Sequence, residues 1–132
     1  MSLEAVSRIR VRYAETDQMG VAYHGAYFAW FEVGRTDLLR ERGLSYRELE
    51  GQGVRLPVVE TSARFLKPAL YDDVLEIRTR LDGMTGATVT FRYELHREGG
   101  DGPLATATTS HAAVGADGRP LRLPEELRRR LT

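Results

Sequence analysis

Polar and apolar residues alternate from Arg8 to Tyr13, with Ile9, Val11 and Tyr13 on one side and Arg8, Arg10 and Arg12 on the other. That is the period of a half-buried strand. The strand runs into Ala14 to Gly20, which reads as a loop with room for a short turn of helix. The pattern then changes. Ala26-Tyr27-Phe28-Ala29-Trp30-Phe31 is apolar nearly all round, and a helix with such a beginning is buried on most sides. The spacing predicts a helix from about Tyr27 to Arg42, with Leu38 and Leu39 continuing its apolar side. Gly43 sits where a left-handed cap residue belongs, and Leu44 is placed to fold back on the last turn. Ser45-Tyr46-Arg47-Glu48 has capping-box spacing, so a second short helix starts there and ends at Gly51 or Gly53.

The rest of the chain has the period of two. Val59, Thr61, Ala63 and Phe65 alternate with polar neighbours until Pro68. Leu75, Ile77, Thr79 and Leu81 do the same until Asp82-Gly83. Val89, Phe91, Tyr93 and Leu95 form a third run, closed by Gly99-Gly100-Asp101-Gly102. Leu104 to Val114, rich in Ala and Thr, is the last, and Pro124 opens a short basic C-terminal helix. Strands with one wet and one packed face need a cover, and only the helix at Tyr27 to Arg42 is apolar enough to provide it. A curved antiparallel sheet wrapped around one central helix satisfies the pattern. A sheet with its helices stacked to one side is the alternative, disfavoured by that helix's all-round apolar start. The open edges of such a sheet invite pairing, which predicts a homodimer with two sheets joined edge to edge.

Composition narrows the class. At 132 residues, 42% hydrophobic and 29% charged, the chain fits a single globular domain spanning 1–132. Nothing approaches the roughly 18 apolar residues of a membrane span, and the N-terminus lacks the pattern of a signal peptide. Cysteine is absent, which removes disulfides, thiolate metal sites and a cysteine nucleophile and leaves the cytoplasm as the expected compartment. Basic and acidic residues number 19 each, so no nucleic-acid partner is expected. Lys67 is the only lysine; the other cations are arginines.

Three features carry candidate chemistry. The first is the segment Thr16 to Gly25, which joins the first strand to the start of the buried helix. Unpaired N–H groups at a helix start can polarise a carbonyl oxygen, and a nearby carboxylate, Asp17, can attack the carbonyl carbon or activate water. The plainer reading is that Asp17 caps a local turn and His24 fixes the helix entry. The second is the set of strand arginines Arg64, Arg78, Arg80 and Arg92. They can grip phosphate, or simply form a solvated face with Glu60, Glu76 and Glu94. The third is the aromatic set around Tyr27 and Phe28, which belongs to the core or lines a pocket. His96 and His111 make no coherent metal site, and no phosphate-loop, nucleophile-elbow or dinucleotide motif is present.

The stretch Arg10-Val11-Arg12-Tyr13-Ala14-Glu15-Thr16-Asp17-Gln18-Met19-Gly20-Val21-Ala22-Tyr23-His24-Gly25-Ala26-Tyr27-Phe28 resembles the signature of the 4-hydroxybenzoyl-CoA thioesterase-like group of hotdog proteins. The likeness continues through Glu32 to Leu39 and returns at Arg64 to Ala69 and Asp72 to Ile77. Its most specific part is D-x-x-G-x-x-x-H-x-x-Y, from Asp17 to Tyr27. The resemblance implies an α+β hotdog fold, five antiparallel strands around one long helix. It implies homodimers, commonly paired into homotetramers, and hydrolysis of acyl-CoA or acyl-carrier-protein thioesters with neither metal nor organic cofactor. It puts the catalytic carboxylate at Asp17 and the carbonyl-polarising N–H groups at His24 and Gly25. The His24 side chain becomes a secondary catalytic candidate. Tyr27 and Phe28 become substrate contacts, and Arg64, Lys67 and Arg92 candidates for CoA phosphates. Where many members carry a polar residue after the histidine, this chain has Gly25-Ala26. A hotdog hydratase or dehydratase, or a non-catalytic acyl-CoA-binding domain, are the rival readings; release of free thiol separates them from a thioesterase.

Overall fold

The computed structural model describes residues 3–132. Five strands form one antiparallel sheet: β1 (Glu4–Arg10), β2 (Val58–Phe65), β3 (Val74–Met84), β4 (Thr88–Arg97) and β5 (Pro103–Ala112). Their order across the sheet is β1-β3-β4-β5-β2. The three helices are α1 (His24–Glu41), α2 (Tyr46–Gly51) and α3 (Glu125–Arg130). The sheet curls around α1, as the alternation of the strands and the all-round apolar helix start require. No helix among the described residues is long and apolar enough to cross a membrane.

The core lies between α1 and the concave face. Phe31 stacks on Tyr93 with ring centroids 4.8 Å apart, and Leu38, Leu75, Ile77, Phe91 and Leu95 close around them, all essentially without solvent contact. The capping signals are found where the sequence puts them. Gly43 has φ +78°, Leu44 N–H donates to Leu39 C=O at 2.8 Å, and the Ser45 hydroxyl accepts the Glu48 N–H.

Two elements depart from the sequence pattern. β1 begins at Glu4 and ends at Arg10, and Tyr13–Glu15 is a turn of 3-10 helix with Tyr13 exposed. The upstream half of β1 was hidden because its inward side includes Ser7, whose hydroxyl donates to Asp37 of α1 at 2.6 Å. β2 departs more. It was expected to have one packed face, yet every residue from Val58 to Phe65 except half-buried Ala63 is exposed. β2 hydrogen-bonds to β5 alone, and α1 lies over β1 and β3 with a lesser contact to β4. The helix is therefore off-centre, and the β5–β2 half of the concave face is left partly uncovered.

α1 comes closest to β3 where it carries glycine, at Gly34. A Cβ built on Gly34 would lie 2.2 Å from Thr79 Oγ1 and 2.9 Å from Ile77 Cγ2, both on buried side chains. Thr79 Oγ1 is itself buried without a hydrogen-bond partner among the described residues. Glycine here is a matter of space, not of backbone conformation.

Candidate active site

The chain between β1 and α1 is held by backbone hydrogen bonds into a small, closed turn. Asp17 N–H donates to Val21 C=O at 2.9 Å and Gly20 N–H returns to Asp17 C=O at 3.0 Å. Gly20 takes φ +81°, which the turn needs and a side chain would resist. Thr16 and Ala22 bridge across the turn. One carboxylate oxygen of Asp17 accepts the Met19 N–H at 2.9 Å. The other has no hydrogen-bond partner among the described residues, and the side chain is half-buried at the surface. Asp17 thus does both things its position allows: it closes a local turn through Oδ1 and leaves Oδ2 available.

The turn is pinned to its surroundings. Ala22 N–H donates to Ala69 C=O and Tyr23 N–H to Glu15 C=O, each at 2.8 Å. Sequence reasoning passed over Glu15. Its carboxylate, largely buried, accepts the Trp30 indole N–H at 2.9 Å and the Arg12 backbone N–H at 2.8 Å. Burial alone would push its pKa up; the Arg12 backbone bond, the Trp30 bond and the Arg12 guanidinium outweigh burial, and the pKa is lowered. Glu15 stays ionised and ties the Asp17 loop to the second turn of α1. A carboxylate spaced three residues from Arg12, as in a capping box, was the signal available for it.

α1 begins directly after this loop. Its N-cap residue, Tyr23, makes no side-chain capping bond, and Ala26 N–H already turns back to Tyr23 C=O at 2.9 Å. The His24 and Gly25 N–H groups precede any intrahelical acceptor and have no partner among the described residues. An 18-residue helix therefore presents two bare donors and the positive end of its dipole directly after the turn that carries Asp17. Gly25 also permits the Tyr23 ring to fold over this end: a Cβ at 25 would lie 2.6 Å from Tyr23 Cε2. The His24 ring is exposed, packed at 4.4 Å from the Tyr23 ring and 6.3 Å from Phe65, with no hydrogen bond among the described residues.

The other candidates divide. Tyr27 is buried, its hydroxyl accepting the Ala69 N–H at 3.2 Å and its ring against Trp30 and Phe65, so it supports the helix start from beneath. Phe28 is half-buried and faces open space. Arg64 and Arg92 come together with Ser62, Thr106 and Thr108 around a shallow depression on the sheet. Arg92 is paired there with Asp82 at 3.3 Å, whereas Arg64 has no ion pair among the described residues. Lys67 Nζ donates to Asp101 C=O at 3.0 Å, away from that depression.

Beside α1, where the sheet is uncovered, two adjoining cavities form a trough. One of ≈ 280 Å³ is lined by Phe28, Ala29, Glu32, Arg35, Val58 and Thr61, with Thr109 at its floor. The next, of ≈ 450 Å³, shares Glu32, Arg35 and Val58 and continues to Leu39, Tyr46 and His111. The trough starts one turn below the bare N–H groups and follows the helix between α1 and β2.

Its floor holds a buried polar chain. His111 Nδ1 is 2.9 Å from Leu56 C=O, an atom that can only accept, so Nδ1 carries the proton. Nε2 then accepts from the Thr109 hydroxyl at 2.8 Å, and Thr109 Oγ1 accepts from the Tyr93 hydroxyl at 2.6 Å. Burial, reinforced by the positive charge of Arg35 and opposed by the Leu56 bond, lowers the His111 pKa to about 4. Burial raises the pKa of Tyr93, against the Thr109 bond and the neighbouring Arg35. Both groups are neutral at physiological pH. A histidine held neutral in the fold stabilises it fully above the unfolded pKa of 6.5, and that contribution is lost as pH falls towards about 4. Urea unfolding should lose roughly 3 kcal/mol between those limits from this residue. The His111 ring should show an Nδ1–H tautomer and no titration above pH 5 by nitrogen NMR; a ring titrating near 6.5 would contradict the assignment.

No group of side chains among the described residues is placed to hold a metal ion. The site consists of a carboxylate with one unengaged oxygen, two bare helix donors and an adjoining trough. A thioesterase-like superfamily model matches residues 11–131. Among solved structures, a hypothetical protein of Thermus thermophilus, TT1821, superposes with TM-score 0.90 at 44% identity, over 97% of this chain and 95% of its own. YneP of Bacillus subtilis is 39% identical over 80% of this chain and 76% of its own length. The Haemophilus influenzae acyl-CoA thioesterase YbgC is 32% identical over 91% and 88% respectively. With a five-stranded sheet curled around one helix and a family match across nearly its whole length, the chain belongs to the thioesterase-like superfamily of hotdog proteins.

Proposed function

We propose that this protein hydrolyses acyl-CoA thioesters to the free acid and CoA, with Asp17 as the catalytic carboxylate. The observation that carries the mechanism is the pairing of an uncapped helix start with a carboxylate in the turn that leads into it. The thioester carbonyl oxygen accepts the His24 and Gly25 N–H groups, which stabilise the charge that develops on it. Asp17 then either takes a proton from the attacking water or attacks the carbonyl carbon itself, giving a mixed anhydride that water opens. In both routes the carbon–sulfur bond breaks and the thiolate leaves and takes up a proton. His24, exposed at the same end, is placed to contact the thioester or the water, and Phe28 to contact the acyl group. Tyr27 serves by fixing the helix start. Arg64, Arg92 and Lys67 are the cations assigned in this reading to the CoA phosphates, Arg64 having no ion pair among the described residues.

The assembly we propose is a homodimer joined antiparallel at β2, itself able to pair into a homotetramer. β2 is the sheet edge whose apolar Val58, Val59 and Phe65 are all exposed, and burying them needs a second protein surface. We take the single domain to act in the cytoplasm, consistent with a chain that has no cysteine. The test is thiol release from a panel of aromatic, short-chain and long-chain acyl-CoAs, with the same acyl groups on acyl carrier protein. Turnover of at least one acyl-CoA is expected. Release only from carrier protein would reassign the substrate, and binding without any release would make the domain a ligand-binding module.

A further inference from the structure

The trough that leaves the helix start does not end in hydrocarbon. One face of α1 lines it, in the order Phe28, Glu32, Arg35 and Leu39, residues that stack at helical spacing. Phe28 is apolar, as an acyl-chain wall should be. Arg35, two turns further, is half-buried and lines both cavities. Its guanidinium stands next to the Tyr93 hydroxyl, and its charge is felt by His111. The Tyr93 proton is committed to Thr109, the Thr109 proton to His111 and the His111 proton to Leu56, so this neutral chain has no negative charge to offer Arg35. Arg35 makes no ion pair among the described residues, although other arginines of the chain, such as Arg40 and Arg97, do. Glu32 and Glu50 also line the trough, but from exposed positions where water solvates them. A guanidinium has five donors in a planar fork suited to a carboxylate, and desolvating it without an anion is costly.

We infer that Arg35 is a specificity-determining residue that receives the distal carboxylate of an ω-carboxyacyl-CoA, the acyl chain lying along α1 between the helix start and Arg35. This rests on the thioesterase reading above and names the acyl group that reading leaves open. Gly25 and Arg35 are about 15 Å apart along the helix axis at 1.5 Å per residue, and the arginine side chain leans back towards the N-terminus. The span suits a medium-length chain; a succinyl group falls short.

Matched pairs test it: kcat/KM for adipoyl-CoA against hexanoyl-CoA, and for suberoyl-CoA against octanoyl-CoA, with wild type, Arg35→Met and Arg35→Lys. Wild type should favour at least one carboxylated member by about tenfold or more. Arg35→Met should cut that turnover by about thirtyfold and leave the neutral chain within about threefold, with Arg35→Lys in between. A wild-type preference for the neutral chains overturns the inference, and this comparison stands even if Arg35→Met fails to fold. Equal losses on both members of a pair also overturn it, and make Arg35 a structural or subunit-contact residue. Hydrolysis of neutral chains alone would leave the thioesterase reading intact; hydrolysis of none would remove that reading instead.

Discussion

Asp17→Asn should lower kcat for acyl-CoA hydrolysis by at least about a hundredfold while leaving the fold unchanged. The substitution keeps the shape of the side chain, and its amide oxygen can still accept the Met19 N–H that closes the turn. Only the charge and the basicity of the unengaged oxygen disappear. General-base or nucleophilic assistance contributes about 10²–10⁴-fold in enzymes, and thioesters are reactive enough that the helix donors alone will sustain some turnover. The measurement is steady-state thiol release, with circular dichroism and Tm run alongside. A folded variant at near wild-type rate would remove Asp17 from the mechanism while leaving the hydrolase activity in place. A single turnover in isotopically labelled water separates the two routes: label enters the Asp17 carboxylate only if that carboxylate attacks.

Gly34→Ala should be the most damaging of the glycine-to-alanine substitutions in the chain. The new Cβ meets Thr79 Oγ1 at 2.2 Å and Ile77 Cγ2 at 2.9 Å, and neither neighbour can yield, since both are wholly buried on β3. Relief requires α1 to lift from the sheet, loosening the Phe31–Tyr93 stack and the Ser7–Asp37 bond. Overpacking of this kind costs about 3 kcal/mol or more, against a total stability on the order of 5–15 kcal/mol. Tm should drop by about 10 °C or more, if the variant accumulates at all. Thr79→Ala removes the nearer obstacle together with a hydroxyl that has no partner, so the double variant should recover at least half of the loss. Strictly additive effects would mean that the clash is relieved elsewhere.

Most of the fold was legible because the strands keep their period and the helix signals are local. Ser45, Gly43 and Leu44 act at the positions their types suggest. The start of α1 was misplaced for an informative reason: Tyr23 does not cap, so no cap residue marks the start, and the missing cap is what leaves the His24 and Gly25 N–H groups bare. Asp17 was legible through its place in a motif and its nearness to that helix start. Arg35 was not. At the sequence level it belongs to the charged side of a helix, and its isolation becomes visible only when α1 settles over β1 and β3 and opens the trough. The exposure of β2 was illegible for a related reason, since its residue types suit a packed face and only the position of the helix denies them one.

That exposure has a consequence for how the protein can change over generations. The two walls of the trough differ in what a substitution costs. On α1, Phe28, Arg35 and Leu39 are half-buried or buried, and Leu39 packs into the core. On β2, Val58 and Thr61 are exposed within the protomer and add little to its own core, so replacements there usually cost the protomer's fold no more than about 0.5 kcal/mol. Descendants of this chain can therefore reshape the outer wall of the trough, and with it the acyl group accepted, by steps that selection for folding of the protomer barely sees, provided the β2 edge still pairs. The helix wall and the Asp17 turn stay fixed meanwhile, so diversification of substrate and preservation of chemistry are assigned to different strands of the same sheet.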